Sequence, residues 1–224
     1  MFHKLEYLTY LAINFGACLQ ILRKRESFRN DSKVSLFSRR EKVWDYAINY
    51  IGKQSITGLE FGVAWGYQTS YWLKNCHNIK KWHGFDTFTG LPESWRHYEE
   101  GHFSNLGKPP NIDDERVVWH TGLVQNTFKP SINSYRLLDT RLFVSFDLDL
   151  FDPTYCVLSR ISEVLRENDL LYFDQPHDLD EGSLFHILLK LNKSKLRLIS
   201  QTPCQILLEV TQNNIIFPKY IKNS

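Results

Sequence analysis

Residues 56–66 read Ile56-Thr57-Gly58-Leu59-Glu60-Phe61-Gly62-Val63-Ala64-Trp65-Gly66. The short apolar run 56–61 reads as a buried strand that flows directly into a glycine-containing turn. The spacing within that turn separates classes of ligand. A dinucleotide site needs G-x-G-x-x-G, whose close glycines let the backbone and a helix N-terminus receive a pyrophosphate. The pattern here is E-x-G-x-x-x-G, with Glu60 ahead of Gly62 and Gly66. A carboxylate at Glu60 repels a pyrophosphate but suits a ligand with ammonium and sulfonium charge. The two glycines still allow close backbone approach.

Working outward, the chain alternates strand and helix. Upstream, 39–51 has Val43, Ala47 and Ile51 on one helical face and is closed by Gly52. Downstream, 67–74 resumes a helix and 82–85 forms a second strand ending on Asp86. Third and fourth strands follow at 117–119 and 142–146, the latter ending in Asp147-Leu148-Asp149. Asp152-Pro153 then gives an N-cap and first-turn pair for a helix whose inward face is Val157, Leu158, Ile161, Val164 and Leu165. A fifth strand, 170–173, ends on Asp174; a helix at 181–191 and strands at 196–200 and 206–210 close the domain. This alternation predicts an α/β, Rossmann-like fold: a mainly parallel seven-stranded sheet with helices on both faces, plus an N-terminal helical extension. The expected division is an extension at 1–38 and a catalytic domain at 39–224.

Ligands of open α/β sheets bind beyond the carboxyl ends of the strands. Four of the first five strand ends are acidic: Glu60, Asp86, the Asp147–Asp149 pair and Asp174. Each alone reads equally well as a loop or cap residue; together on one crevice they favour a site. Asp86 stands twenty positions after Gly66, the offset at which a strand-two carboxylate grips ribose hydroxyls. A nucleoside without phosphates and with positive charge is S-adenosylmethionine. The expected cofactor-binding set is Glu60, Gly62, Gly66, Asp86, Thr87, Gly122 and Asp147.

Two stretches carry a family resemblance. Leu59-Glu60-Phe61-Gly62-Val63 and Gly84-Phe85-Asp86-Thr87-Phe88-Thr89-Gly90-Leu91-Pro92-Glu93 resemble the macrocin O-methyltransferase group of class I methyltransferases. Phe146-Asp147-Leu148-Asp149-Leu150-Phe151 is similar to that group's D-x-D-x-Y segment, and Leu171-Tyr172-Phe173-Asp174 to its strand-five acidic end. The resemblance implies methyl transfer to a hydroxyl of a sugar or sugar-bearing natural product, so the expected partner is a small-molecule sugar or polyol acceptor. It also implies a divalent metal, usually Mg2+, held by Asp147 and Asp174, with Asp149 as the base. The chain departs from the family at Gln175, where a second strand-five acid should stand. An amide oxygen ligates Mg2+ less strongly than a carboxylate. His177 is the second candidate base, although a lone loop histidine is more often merely solvated.

The polar stretch 92–116 has no apolar period and reads as a lid. Its Trp95, Tyr98, His102 and Phe103 either wall an acceptor pocket or pin the loop to the body. The bulk properties of the 224 residues narrow the field: 42% hydrophobic, 23% charged and a net charge of +2 give a core-forming chain without a dominant nucleic-acid footprint. Cys18, Cys76, Cys156 and Cys204 are too dispersed for zinc and read as reduced thiols of a cytoplasmic protein. Residues 7–22 lack charge, but Leu5, Leu8, Ala12, Phe15, Leu19 and Leu22 describe one face of an amphipathic helix. That face suits packing against the body or a second copy of the chain better than a membrane. Two other readings stand beside methyl transfer. An NAD-dependent oxidoreductase is opposed by the missing G-x-G-x-x-G; a non-catalytic binding or assembly module is favoured by Gln175.

Overall fold

A computed structural model describes residues 34–129, 135–137, 139–176 and 180–221. The N-terminal helix expected before residue 33, Cys18 and His177 lie outside the described residues. The strands are β1 (Ser35–Leu36), β2 (Ile56–Phe61), β3 (Ile79–Asp86), β4 (Val117–Thr121), β5 (Arg141–Phe146), β6 (Leu170–Phe173), β7 (Leu196–Gln201) and β8 (Ile206–Val210). The helices are α1 (Arg40–Ile51), α2 (Tyr67–Asn75), α3 (Val124–Thr127), α4 (Phe151–Ile161) and α5 (Glu181–Leu191).

All strands join one sheet in the order β1-β7-β8-β6-β5-β2-β3-β4. It is a mixed, eight-stranded sheet rather than the expected seven-stranded one. The extra strand, β1, falls in the expected extension at 1–38 and pairs in parallel with β7 through Ser35 and Leu36. Two residues are too few to show a period of two, so nothing in the local pattern marks them. The reversed strand is β8, antiparallel to both β6 and β7. The short turn between β7 and β8 permits only that sense, since a parallel return needs a crossover of a dozen residues or more.

Alternation along the central strands builds a core on each face. Phe143, Leu170 and Tyr172 point to one side, where Val43, Trp44, Ala47 and Ile51 of α1 and Trp72 of α2 cover them. Leu142, Val144, Leu171 and Phe173 point to the other, under Val157, Leu158 and Ile161 of α4 and Leu184, Phe185 and Leu188 of α5. Helices therefore do lie on both faces. The sheet reverses its winding between β2 and β5, which pair in parallel from Ile56 to Phe61. The chain passes from β2 outward through β3 to β4 on one side and from β5 to β6 on the other, opening a crevice at that point.

Helix α4 corrects one local expectation. It starts at Phe151 with Leu150 as the cap residue, so Asp152 lies in the first turn and not at the cap. Asp152 instead accepts hydrogen bonds from Gln125 Nε2 at 2.8 Å and from the Tyr220 hydroxyl at 3.0 Å. The stretch 92–116 is irregular as expected, but internally bonded. Leu91 N–H donates to His102 O, and the Asn105 and Gly107 amides both donate to Phe88 O. Among the described residues, no helix is long and apolar enough to cross a membrane.

Candidate active site

The crevice deepens into a cavity of about 660 Å³, inside the ~300–1,000 Å³ typical of small-molecule sites. Its floor is the turn after β2. Gly62 has φ +87°, and a Cβ there would lie 1.8 Å from the Asp147 carbonyl oxygen. The β2 turn and the end of β5 thus touch backbone to backbone, which no residue but glycine permits. Gly66 is the left-handed N-cap of α2, φ 77°. It was expected to face the ligand but does not border the cavity. A Cβ at Gly66 would meet Pro110 at 2.8 Å, so this glycine instead admits the 92–116 loop.

Asp86 organises the turn. Its Oδ2 accepts the Val63 and Ala64 amides, each at 2.8 Å, and its Oδ1 accepts the Phe88 amide at 2.7 Å. The carboxylate ties the end of β3 to the β2 turn and retains accepting capacity on Oδ1. Thr87 borders the cavity and donates its hydroxyl to Gly90 O at 3.1 Å. Gly122 also borders it, with its amide on Asp86 O at 2.9 Å.

Glu60 is only 2% exposed. Thr69 Oγ1 and Trp82 Nε1 donate to its Oε2 at 2.5 and 2.7 Å, leaving Oε1 for the cavity side. Burial pushes its carboxyl up to about 8, against the pull of those two hydrogen bonds, so Glu60 is largely neutral at pH 7. Residue type alone makes Glu60 a fixed negative charge; in the folded protein the charge is conditional. A cationic ligand beside it would draw the proton off.

At the other end, Asp147, Asp149 and Asp174 border the cavity with Gln175. Asp174 is 2% exposed. The Tyr172 hydroxyl donates to its Oδ1 at 2.9 Å and Gln205 Nε2 at 3.2 Å, and Arg40 Nη1 is 3.3 Å from the same oxygen. Burial raises the Asp174 carboxyl, with Arg40, Tyr172 and Gln205 opposing. Burial and the neighbouring Asp174 and Asp149 carboxyls push Asp147 well above the ordinary range, Arg40 again opposing. Asp149 sits in a left-handed conformation, φ 62°, directly after β5. For a non-glycine residue at a cavity rim this is the backbone strain often found at working positions.

The metal expectation fits poorly. Among the described residues, no three His, Cys, Asp or Glu side chains are grouped to hold an ion. The Gln175 amide oxygen accepts from Arg96 Nη1 at 3.2 Å. Of the four aromatic-loop residues, only Phe103 borders the cavity. Trp95, 3% exposed, stacks on Tyr98, which packs on His102 and Phe103, so these rings pin the loop to the body.

Arg40 and Trp65 are two of the cavity residues that the sequence pattern does not single out. Arg40 falls at the start of the helix expected at 39–51, far along the chain from the Asp174 it meets. Trp65 is 61% exposed at the cavity, edge-on to Phe103. A tryptophan placed inside the glycine turn is the signal the sequence carries for it.

No protein-family model matches the chain, and no curated protein is matched. Solved structures do match. The calicheamicin methyltransferase CalS11 aligns at a TM-score of 0.54 and 22% identity, over 76% of this chain and 80% of its own. The O-methyltransferase NovP aligns at 0.56 and 14% identity, over 77% and 80%. An rRNA methylase from Streptococcus thermophilus aligns at 0.52 and 14% identity, over 79% and 99%. The chain therefore has the fold shared by these methyltransferases, as its resemblance to the class implies. At such identities fold is what the likeness establishes.

Proposed function

We propose that this chain is an S-adenosylmethionine-dependent methyltransferase acting on a hydroxyl of a sugar or sugar-bearing small molecule. The observation that carries this reading is the cavity itself. It lies at the switch point of the sheet, floored by the Gly62 turn that Asp86 clamps. Acidic side chains line it, with Arg40 the one basic side chain among its described lining. At the Glu60 and Asp86 end such a lining suits a nucleoside that carries positive charge and no phosphates. CalS11, whose apo structure describes it as a TDP-rhamnose 3'-O-methyltransferase, supports the sugar class as a fold relative at 22% identity.

The residues fit the cofactor. Asp86 Oδ1 would accept a ribose hydroxyl, Gly62 and Gly122 would let the nucleoside approach the backbone, and Glu60 would meet the cationic amino-acid end. Bound there, S-adenosylmethionine would supply a methyl group activated by its sulfonium. Asp149 receives the proton that the acceptor hydroxyl loses. The protein's larger task is alignment of the two reactants, which supplies much of the rate in a displacement of this kind. Apolar Phe103 and the Trp65 ring at the mouth exclude water and stack against a flat or sugar face.

The test is calorimetric titration of the full chain with S-adenosylhomocysteine and S-adenosylmethionine. Affinity of the order of micromolar, about −8 kcal/mol, is the expected result. A folded sample that binds neither leaves the binding or assembly module as the better reading. The nature of the acceptor is then tested with a panel of nucleotide sugars and radiolabelled methyl donor.

A further inference from the structure

The carboxylate end of the cavity already contains a cation. Arg40, the first residue of α1, reaches across to Asp174 with Nη1 3.3 Å from Oδ1. Its side chain is 39% exposed, whereas that of Asp174 is 3% exposed, so the guanidinium stands between the buried acid and the open cavity. Desolvation works against its charge, yet Asp174 and then Asp147 hold the guanidinium above its ordinary value. Arg40 is thus the group that offsets both carboxylates. The third position, Gln175, has its oxygen turned to Arg96, whose guanidinium lies 4.4 Å over the Trp95 ring. Two of the three side chains expected to hold a metal ion thus face arginines.

Charge balance explains why these substitutions go together. Three carboxylates around a divalent cation carry a net charge of −1. Two carboxylates around one guanidinium carry the same charge. Replacing an acid by Gln175 removes one negative charge, and a monovalent cation then suffices to balance what remains. A guanidinium also brings five donors in a fixed fork, which suits carboxylates as well as a metal does while excluding one by occupying its place.

We propose that Arg40 is the resident cation of this site, standing in place of a divalent metal ion, and that the site operates without one. The proposal deepens the methyltransferase reading and rests on it for the meaning of the cavity, but its test does not. Arg40 acts as a positioning residue: it holds Asp174 at the cavity wall that Asp147 and Asp149 also border.

Manganese is the probe, followed by electron paramagnetic resonance on the full chain. The wild-type protein is expected to show no saturable Mn2+ binding up to the order of 1 mM, weaker than ordinary sensor-type protein cation sites. Arg40→Met, which bares the two carboxylates, is expected to bind Mn2+ at least tenfold more tightly, and Arg40→Lys, which keeps the charge, to remain as weak as wild type. Saturable binding by the wild type, or equal Mn2+ affinity in all three folded proteins, overturns the proposal. In parallel, S-adenosylhomocysteine affinity is expected to be the same in excess Mg2+ and in chelator. Loss of S-adenosylhomocysteine binding under both conditions would count against the methyltransferase reading alone, since the manganese comparison reads the Arg40 pairing directly.

Discussion

The Asp86 carboxylate does two things at once, and a substitution there separates them. In Asp86→Ala three backbone amides, those of Val63, Ala64 and Phe88, lose their acceptor together. Bonds to a charged group contribute about 1.5–3 kcal/mol each, and the half-buried site lets water recover part of that. The loss is then about 4–5 kcal/mol, a large share of a typical domain's stability. Asp86→Ala is therefore a poor test of ligand binding, because the turn itself is at risk. Asp86→Asn is the informative change. Its single oxygen can keep the Val63 and Ala64 amides at neutral strength, while its NH2 opposes the Phe88 amide. One lost bond and two weakened ones amount to about 2–3 kcal/mol, or a melting temperature lower by about 5–10 °C for a chain of this size.

The same change removes the free oxygen lone pair offered to a ribose hydroxyl. Affinity for S-adenosylhomocysteine should fall about 10–150-fold, the equivalent of one charged hydrogen bond. Circular-dichroism melts and calorimetry on one preparation read both effects. A variant that melts like wild type shows that Asp86 does not clamp the turn. A variant that melts lower yet binds S-adenosylhomocysteine as well as wild type removes the ribose from Asp86.

Two pH effects follow from buried groups. His83, paired with His120 at 3.0 Å, is pushed down to about 4 by burial and by its neighbouring histidine. The folded state resists a proton that the unfolded state accepts near 6.5. Stability is therefore complete above about pH 6.5 and declines as pH falls toward 4, by up to about 3 kcal/mol. Urea melts between pH 7.5 and 4.5 should show this slope and His83→Gln should flatten it; an unchanged slope in the variant would place the acid sensitivity elsewhere. Glu60, raised to about 8, gives the opposite sense: the folded state holds a proton that the unfolded chain loses near 4.5, so its contribution fades as pH rises from there to 8. Because the ligand's ammonium favours the ionised form, binding of S-adenosylmethionine or S-adenosylhomocysteine should release a proton near neutral pH. The affinity of both should change with pH around 8 in the wild type only. An equal pH profile in Glu60→Gln would mean that Glu60 does not meet the cationic end.

What the sequence made legible was whatever repeats along it. Seven of the eight strands and the four longer helices follow from apolar periodicity, and Gly52 closes α1 because glycine takes the φ of 60° found there. The strand ends were also readable, because an acidic residue directly after an apolar run lands at one edge of a parallel sheet. Hence Glu60, Asp86, Asp147, Asp149 and Asp174 do converge on one cavity. Strand β1 and the reversal of β8 were not readable, since each depends on which neighbour a strand meets and not on its own residues.

The site was less legible than its residue list suggests, for a related reason. Position along a strand says where a carboxylate goes, but its charge is set by partners from elsewhere in the chain. Five acids at one edge imply a uniformly negative crevice. In the fold, Asp86 is spent on three amides, Glu60 holds a proton against Thr69 and Trp82, and Asp174 faces Arg40. Phe88 is a local partner, two residues from Asp86, but Val63, Ala64, Trp82 and Arg40 each lie more than twenty residues from the acid they meet, and Arg40 opens α1 just after β1 pairs with β7. The strand that the pattern could not reveal thus leads into the helix that carries the cation. An acidic strand end therefore locates a site, and the sign and strength of its field must come from the packing around it.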